Sequence, residues 1–260
     1  MSKIGVIILA AGKGTRMESD LPKVCFELGG RGLIQWVVGT ALKLDPDRTV
    51  IVVGYEKEQV ITEASNTPYS NDIWGYSMLR FVEQKNQLGT GDAVKTTQEY
   101  FENFNGSVFV LCGDVPLLRL DTLKKMLETH ETAQASCTVL TMILDNPDKY
   151  GRMLRDSQNR LMDIVEYKDA TEEQRKIAEV NTGIYCFNSQ DLFQAIMRVN
   201  DNNAQKEYYL TDVINILYKD KKLVESVVLE DVIEASGVNS QAHLAELEKI
   251  CEKYNENWWY

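Results

Sequence analysis

The segment at residues 12–16, GKGTR, has the residue types that bind phosphate groups. Gly12 and Gly14 permit backbone conformations that other residues resist, and successive amide N–H groups in such a turn can surround an anion. Positively charged side chains within or soon after the turn could neutralise a polyphosphate. These side chains are Lys13, Arg16 and Lys23. The spacing therefore predicts a polyphosphate cradle.

Two familiar phosphate-binding motifs do not fit this segment. A P-loop requires GxxxxGK followed by Ser or Thr, but the residue five before Gly12 is Ile7, and Lys13 is followed by Gly14. A dinucleotide-binding fingerprint, GxGxxG, requires a glycine at position 17, where Met17 stands. From the glycines alone, a turn that closes a βα unit remains an alternative.

A carboxylate stands where a later apolar run ends. The run Val108–Cys112 is typical of a buried strand, and Gly113 and Asp114 follow it. At the carboxyl end of a parallel strand, an aspartate can point into a ligand crevice and hold one Mg²⁺ ion against phosphate oxygens. The alternative is a helix cap, although residues 120–122 (LDT) offer the following helix a cap of their own.

Strands and helices alternate through the first half of the chain, which predicts a parallel, doubly wound sheet. Apolar or β-branched runs predict strands at Ile4–Ala11, Thr49–Val53, Leu79–Val82 and Val108–Cys112. Helical spacing predicts helices over 33–44, 56–64 and 89–101, with a polar connection at 65–76. Because ligands bind such sheets at the carboxyl ends of the strands, residues 10–16, Gln84 and Asp114 should share one crevice.

The second half has more strand-like runs and fewer helices. Runs at Ala135–Leu144, Arg160–Val165 and Val180–Phe187 predict mixed or antiparallel strands that form a smaller lid over the crevice. Further elements are expected after these runs. They are helices over 189–199 and 210–218, a strand over 223–229, and an amphipathic helix over 241–254 that precedes the aromatic tail 258–260.

The composition is that of an ordinary globular protein without a general affinity for nucleic acid. Hydrophobic residues make up 44% of the 260 residues and charged residues 26%. The formal net charge is −11, whereas binding to a nucleic-acid backbone requires a basic surface. A nucleotide site in this chain must therefore collect its cations locally.

The cysteine pattern and the apolar runs predict a cytoplasmic protein. The five cysteines are scattered and odd in number, and the chain has two histidines, so we expect neither a disulfide framework nor a zinc site. Free thiols are typical of the reducing cytosol. We find no signal peptide and no apolar run of membrane-spanning length, so no membrane association is expected.

Residues 9–17, LAAGKGTRM, followed by LPK at 21–23, resemble the signature of sugar-1-phosphate nucleotidyltransferases. The resemblance implies a Rossmann-like, GT-A-like fold and catalytic roles for Arg16, Lys23 and Asp114. It implies nucleotide contacts from the strand end and the turn. The residues concerned are Leu9, Ala10, Ala11, Gly12, Gly14 and Thr15. In this family the aspartate is a metal ligand paired with a late asparagine, which corresponds here to Asn239, and the cofactor is Mg²⁺.

Amide side chains after residue 83 are suited to reading a base. An amide can donate and accept hydrogen bonds at once, as the imide edge of uracil requires. The resemblance implies nucleotide contacts from Gln84, Gln87, Gly89 and Thr90, with Gly89 allowing the backbone to close on the base. Without the resemblance, residues 87–91 (QLGTG) are equally typical of a turn that enters a helix.

Further motifs resemble the N-acetylglucosamine-1-phosphate uridylyltransferases, specifically the uridylyltransferase domain of the bacterial bifunctional enzymes. The motifs are YGR at 150–152, IVEYKDA at 164–170, VNTG at 180–183 and NNAQKEYYLTD at 202–212. They occur in the same order as in that domain, and the resemblance covers essentially the whole chain. The resemblance implies sugar contacts from the backbone of Gly151 and from the side chains of Glu166 and Asn181. Tyr209 and Thr211 match positions that line the sugar-phosphate side of the pocket. Read without it, Glu166 is an exposed strand charge and Asn181 a turn residue.

The resemblance implies transfer of the uridylyl group of UTP to N-acetylglucosamine 1-phosphate, with release of pyrophosphate. It assigns residues 1–240 to the nucleotidyltransferase domain, with a nucleotide-binding half at about 1–118 and a sugar-binding half at about 119–240. Residues 241–260 would form a C-terminal helix and tail through which a homo-oligomer could assemble. No hexapeptide repeat is present, so acetyl transfer is not expected. Cys112, and Arg31 with Gly32, depart from the family pattern.

Three alternatives stay open from the sequence. The acceptor could be another sugar or alcohol phosphate, such as glucose 1-phosphate, glucosamine 1-phosphate, or phosphocholine with CTP. A non-catalytic nucleotide sensor of the same fold is a second alternative, although it would tolerate loss of the metal pair, which is intact here. A nicotinamide-dependent oxidoreductase is disfavoured by Met17 and by the absence of an acidic residue after Val53, where Gly54 and Tyr55 follow.

Overall fold

The computed structural model of the chain describes residues 2–67 and 79–253. The strands are β1 (Lys3–Ala10), β2 (Glu27–Leu28), β3 (Arg31–Gly32), β4 (Arg48–Val53), β5 (Leu79–Glu83), β6 (Gly106–Cys112), β7 (Cys137–Ile143), β8 (Arg152–Arg155), β9 (Leu161–Val165), β10 (Glu179–Asn188) and β11 (Val224–Val228). The α-helices are α1 (Leu33–Leu42), α2 (Lys57–Ser65), α3 (Thr90–Lys95), α4 (Leu120–Ala133), α5 (Glu172–Arg175), α6 (Ser189–Ile196), α7 (Asp212–Lys219) and α8 (Gln241–Lys253). Short 3-10 helices lie at Thr15–Met17, Lys23–Cys25, Gln98–Phe101 and Val232–Ala235.

Nine of the described strands form one sheet, whose central path has the order β11-β7-β10-β6-β1-β4-β5. Strands β6, β1, β4 and β5 are parallel to one another. Strand β10 is antiparallel to β6 and β7, and β11 is parallel to β7. The prediction of an α/β fold with a mostly parallel central sheet is confirmed.

Both faces of the central strands are covered by helices, which explains their nearly continuous apolar runs. In β1, Val6 and Ile8 belong to one buried cluster and Ile7 to the other, and all three are fully buried. The first cluster includes side chains of α1, α2 and α4, whereas the second includes side chains of α3, α6 and α7. This arrangement is doubly wound, as the alternating pattern predicts.

The second half of the chain contributes more to the central sheet than the expected lid would. Strands β7, β10 and β11 extend that sheet, because Tyr185 of β10 pairs with Val110 of β6 and both side chains enter the same buried cluster. Outside the central path lies the antiparallel hairpin of β8 and β9. The sequence did not predict β8, since charged residues at both of its ends, Arg152 and Arg155, mask the strand pattern. The domain boundaries at 118 and 240 stay predictions.

Helix α8 packs against the same polypeptide. Leu247 is buried in a third apolar cluster with Met17 and Val238, and Leu244 and Ile250 pack against that cluster. Assembly of a homo-oligomer through this helix stays a prediction. Among the described helices, none combines the length and the apolar character needed to cross a membrane. The predicted aromatic tail, and most of the predicted polar connection after α2, lie outside the described residues.

Candidate active site

The carboxyl ends of parallel strands bring the two halves of the phosphate region together. Leu9 of β1 pairs with Cys112 of β6, so the residues after each strand emerge at the same edge of the sheet. The Gly113 N–H donates to the Leu9 carbonyl oxygen at 2.9 Å, which holds Asp114 beside the loop that follows Ala10. Gln84 follows β5 at this edge too, as its N–H bonds to the Val53 carbonyl oxygen at 2.8 Å.

The loop after β1 needs glycine at position 14. Gly14 has φ of 69°, in the left-handed region, and a Cβ atom there would lie 2.5 Å from Cβ of Lys23. Its carbonyl oxygen accepts from the N–H of Met17 at 2.9 Å, which begins the short helix that carries Thr15 and Arg16. A residue with a side chain would therefore both strain this turn and displace Lys23.

Four predicted residues meet through their side chains at this edge. Lys23 forms an ion pair with Asp114, and its Nζ atom lies 3.4 Å from Oδ1 of Asn239. Arg16 donates to the same Asn239 oxygen at 2.8 Å. The side chains of Lys23 and Asp114 are 19% and 17% exposed, so the pair is open to a ligand while it is partly shielded from solvent. We call Arg16, Lys23, Asp114 and Asn239 the phosphate quartet.

Asn239 reaches the quartet from the far end of the chain by a backbone contact. The Val238 N–H donates to the carbonyl oxygen of Asp114 at 3.0 Å, and the Val238 side chain is fully buried. Gly237 lies beside the side-chain carboxylate of Asp114, since a Cβ atom at position 237 would be 3.4 Å from Oδ2 of Asp114. The segment is thus pinned by packing and by one backbone hydrogen bond.

The quartet offers oxygen ligands of the type that Mg²⁺ prefers. A carboxylate oxygen of Asp114 and the amide oxygen of Asn239 both face the Lys23 ammonium, so the space between them suits a cation. Within the described residues no three or more His, Cys, Asp or Glu side chains gather as a metal site. Any Mg²⁺ would therefore complete its shell with water and phosphate oxygens, as this ion commonly does.

Lys13 stands apart from the other predicted cations. Its Nζ atom lies over the ring of Tyr55, 4.8 Å from the centroid, so it faces the loop after β4. Ala11 joins the same loops, because its carbonyl oxygen accepts from the Tyr55 N–H at 3.1 Å and from Nε2 of Gln87 at 2.9 Å. At Gly12, an added Cβ atom would meet none of the described residues within 4 Å.

On the predicted base side, the amide hydrogens of Gln84 donate within the protein. Its Nε2 atom donates to the Gly89 carbonyl oxygen at 3.0 Å and to the Asp92 carboxylate at 2.8 Å, and the residue is 5% exposed. A base contact in this conformation would therefore involve the side-chain carbonyl oxygen. The base-binding roles of Gln84 and Gln87 stay predictions, and the sequence pattern did not single out Asp92.

Hydrogen bonds join the base loop to the segment around Tyr208. The Tyr208 N–H donates to the Leu88 carbonyl oxygen at 2.7 Å, and the Leu210 N–H donates to Oγ1 of Thr90 at 3.0 Å. Gly89, with φ of 111°, admits this approach, because a Cβ atom there would lie 2.6 Å from the Tyr208 oxygen. Thr90 and Gly89 therefore have a structural role beside the predicted contact with the nucleotide.

The predicted sugar residues lie at the same edge of the sheet. Asn181 stands near the start of the antiparallel strand β10, and Tyr185 of that strand pairs with Val110, so Asn181 and Asp114 both lie beyond that pair in the same direction. Asn181 donates to the Tyr185 hydroxyl at 2.7 Å, and its Oδ1 accepts from the Gly183 N–H at 3.0 Å. These bonds fix the orientation of its amide.

Glu166 is a partly buried acid with one hydroxyl partner. Oγ1 of Thr211 donates to its Oε1 atom at 3.4 Å. Burial raises the pKa of Glu166 above its usual range, and the neighbouring charges of Asp169 and Asp212 add to the shift. Tyr209, which is 6% exposed, accepts a hydrogen bond at its hydroxyl from Gln205 at 2.7 Å. The sugar-binding roles of these residues stay predictions.

Comparisons with known proteins agree with the sequence motifs. The model of the nucleotidyl transferase family matches residues 5–258. The bifunctional protein GlmU of Acaryochloris marina is 44% identical over 256 residues, which are 98% of this chain and 53% of the relative. GlmU of Geobacillus thermodenitrificans is 41% identical over 262 residues, which are 99% and 55%. The chain spans about half the length of the curated relatives it matches.

A solved structure shares the fold. The crystal structure of UDP-glucose pyrophosphorylase complexed with UDP-glucose matches 98% of this chain and 100% of its own, with a TM-score of 0.73. Sequence identity is 20%, so this likeness bears on the architecture alone.

Proposed function

The chain belongs to the nucleotidyl transferase family, and we propose that it transfers the uridylyl group of UTP to N-acetylglucosamine 1-phosphate. The products would be UDP-N-acetylglucosamine and pyrophosphate. The observation that carries this proposal is the phosphate quartet, in which two cations, a carboxylate and an amide converge at the carboxyl edge of the sheet. The likeness to GlmU proteins over nearly the whole chain supports the choice of substrates.

The reaction needs no protein nucleophile. A phosphate oxygen of the sugar phosphate attacks the α-phosphorus of UTP, and the bond to the β-phosphate oxygen breaks as pyrophosphate leaves. The attacking group is already an anion, so catalysis consists of positioning and charge neutralisation. Arg16 and the amides of residues 12–15 would hold the β- and γ-phosphates, and Lys23 would neutralise charge that builds on the α-phosphate.

Asp114 and Asn239 would hold the Mg²⁺ cofactor. When bound, Mg²⁺ supplies Lewis-acid stabilisation of the phosphate charges. Lys23 contacts both oxygen ligands in this structure, so its ammonium must release them and become available to a phosphate oxygen. The Val238 backbone bond to Asp114 would help to hold the two proposed ligands near each other.

Base and sugar selection would rest on the remaining residues. The amide nitrogen of Gln84 donates to Gly89 and Asp92, which would leave its carbonyl oxygen to accept from a uracil N–H. Glu166 and Asn181 would receive the hydroxyl and acetamido groups of the sugar.

The five free thiols fit a cytoplasmic location, which we propose for the protein.

A substrate grid tests the proposal. Pyrophosphate release would be measured with Mg²⁺, crossing UTP, CTP, dTTP and ATP against N-acetylglucosamine 1-phosphate, glucosamine 1-phosphate and glucose 1-phosphate. We expect the highest kcat/KM for UTP with the acetylated sugar. A maximum at another pair would keep the reaction and replace the substrate. Bound UTP without turnover in any pair would contradict catalysis and favour a nucleotide sensor.

A further inference from the structure

Arg152, the last residue of the YGR motif, is a buried cation that forms no ion pair among the described residues. It is 2% exposed and among the largest fully buried side chains of the described residues. Along those residues, no carboxylate forms an ion pair with it. Its guanidinium donates to backbone carbonyl oxygens instead. The acceptors are Arg175 at 3.1 Å, Pro147 at 3.4 Å, Asp148 at 2.9 Å and, at a short distance, Tyr150.

Burying a charged group away from water costs free energy. The pairing of the Arg152 guanidinium with neutral carbonyl groups therefore needs an explanation. Three of the four carbonyl groups belong to residues 147–150, which lead directly into Gly151. A guanidinium has five donors in a planar fork, and it can therefore tie several backbone oxygens at once. Arg152 thus fixes the path of the loop that presents Gly151.

The sheet register places the other sugar residues next to Arg152. Arg152 pairs with Val165 of β9 on one side and with Val180 of β10 on the other. Val165 precedes Glu166, and Val180 precedes Asn181. The Asn181 N–H also donates to the Gly151 carbonyl oxygen at 2.9 Å. Gly151, Glu166 and Asn181 therefore all adjoin one row of paired residues in the sheet, and Arg152 is the centre of that row.

A ring contact connects Arg152 to the Glu166 segment a second time. Its Cζ atom lies 5.7 Å from the centroid of the Tyr167 ring, and Cζ of Arg175 lies 4.6 Å from the same centroid. Arg175 also donates to the Tyr167 carbonyl oxygen at 3.2 Å. Tyr167, the residue after Glu166, therefore contacts the guanidinium groups of both Arg152 and Arg175.

We propose that Arg152 is a positioning residue for acceptor selection, which sets Gly151, Glu166 and Asn181 in the relative geometry that recognises the sugar of the sugar phosphate. The proposal rests on the proposed function, because it assigns a residue to the sugar side of that reaction. Arg152 itself does not touch the substrate. The phosphate quartet lies on the segments that follow β1 and β6 and on residues 237–239, so a disturbed Arg152 should leave nucleotide binding intact.

Steady-state kinetics on Arg152→Lys and Arg152→Met test this assignment. We expect the KM for the sugar phosphate to rise on the order of tenfold or more, because small misplacements of binding groups have effects of this size. The KM for UTP should stay within about twofold, since the nucleotide groups are held elsewhere. Lys should be the milder change, because it keeps the charge but loses the fork. KM does not depend on the fraction of folded enzyme, so lower stability would not imitate this pattern.

Arg155 provides a matched control on the same strand. It bonds to Glu179 at 2.7 and 2.9 Å and to Ser226 at 2.8 Å, and not to the loop at 147–150 that leads into Gly151. Arg155→Lys and Arg155→Met should lower stability without a selective rise in either KM. If the Arg152 variants did not fold, Tyr167→Leu would replace them, with the same selective rise expected.

Several results would overturn the assignment. They are an unchanged sugar-phosphate KM in folded Arg152 variants, an equal rise in both KM values, or the same selective rise in the Arg155 variants. Failure of the proposed function is distinguishable, because it would show in the substrate grid of the unmodified protein. If another sugar phosphate were the acceptor, the selective rise is expected for that acceptor.

Discussion

The two sides of the crevice handle charge in opposite ways. On the phosphate side, Arg16 and Lys23 face the crevice and meet a carboxylate and an amide within hydrogen-bond reach. On the sugar side, the predicted contacts include the partly buried acid Glu166, and the cation Arg152, which pairs with the neighbouring Val165, is buried on backbone oxygens. Charge is therefore neutralised where polyphosphate would bind, whereas shape and hydrogen bonding dominate where the neutral sugar would bind.

This difference leads to different consequences of substitution. Groups that stabilise charge in a transition state affect kcat, whereas groups that hold an uncharged part of the substrate affect KM first. The comparison therefore predicts large rate losses on the phosphate side, smaller losses of acceptor affinity on the sugar side, and effects on stability where acids crowd one another.

The largest effect is expected for Asp114→Ala. The substitution removes the carboxylate partner of Lys23 and a proposed metal ligand, so kcat should fall by roughly 10²–10³ or more, as for other lost transition-state contacts. Pyrophosphate release at saturating substrates measures the effect. Asp121→Ala, an exposed aspartate in the first turn of α4, serves as the control and should keep normal turnover. Near-normal turnover of Asp114→Ala would refute the metal assignment.

A smaller, selective effect is expected for Glu166→Gln. The substitution keeps the size of the side chain and removes the charge, so the KM for the sugar phosphate should rise about tenfold or more, the equivalent of one charged hydrogen bond. The pKa of Glu166 is raised, so the sugar-phosphate KM of the unmodified enzyme should also rise as pH falls through that pKa, because a protonated acid accepts fewer hydrogen bonds. The variant should lack this pH dependence. A loss of kcat with unchanged KM would break the comparison.

The smallest effect is expected for the stability of Asp212→Asn. Burial raises the pKa of Asp212 to about 6, and the charges of Asp163 and Asp169 add to the shift. The folded state therefore holds this proton more tightly than the unfolded state, so stability is lost as pH rises through about 6. The variant should melt about 1–2 °C higher than the unmodified protein at pH 8, since solvent screens part of the repulsion. The advantage should shrink by pH 5 in calorimetry.

Asp220, at the other end of α7, provides a control of opposite sign. Its hydrogen bonds to Arg198 lower the pKa of Asp220, so the charged form stabilises the folded state. Asp220→Asn should therefore lower the melting temperature slightly at pH 8. If Asp212→Asn and Asp220→Asn changed the melting temperature by the same amount and in the same direction, destabilisation by crowded acids would not be specific to the sugar side.

Local composition was sufficient to predict the parallel half of the fold. The apolar runs at β1, β4, β5 and β6 are continuous because both faces are buried, and this pattern is visible in any short window of the sequence. The shared edge of Gln84 and Asp114 followed from the rules for alternating strands and helices, whereas the order of the strands along the sheet came only from the structure. The strand β8 was missed because Arg152 and Arg155 give it a polar pattern, although Arg152 is buried.

Residue identities by themselves determined the glycine turn, the carboxylate after β6 and the family signature, because each depends on neighbours within a few positions. Tertiary structure alone decided that Arg16 meets Asn239, 223 residues away, and that Lys13 does not join them. It also decided that a cation of the YGR motif is buried among carbonyl oxygens. Contacts of this kind depend on the packing of segments that are distant in the sequence, such as Val238 against Asp114. The local spacing of residues does not indicate which distant segments will meet.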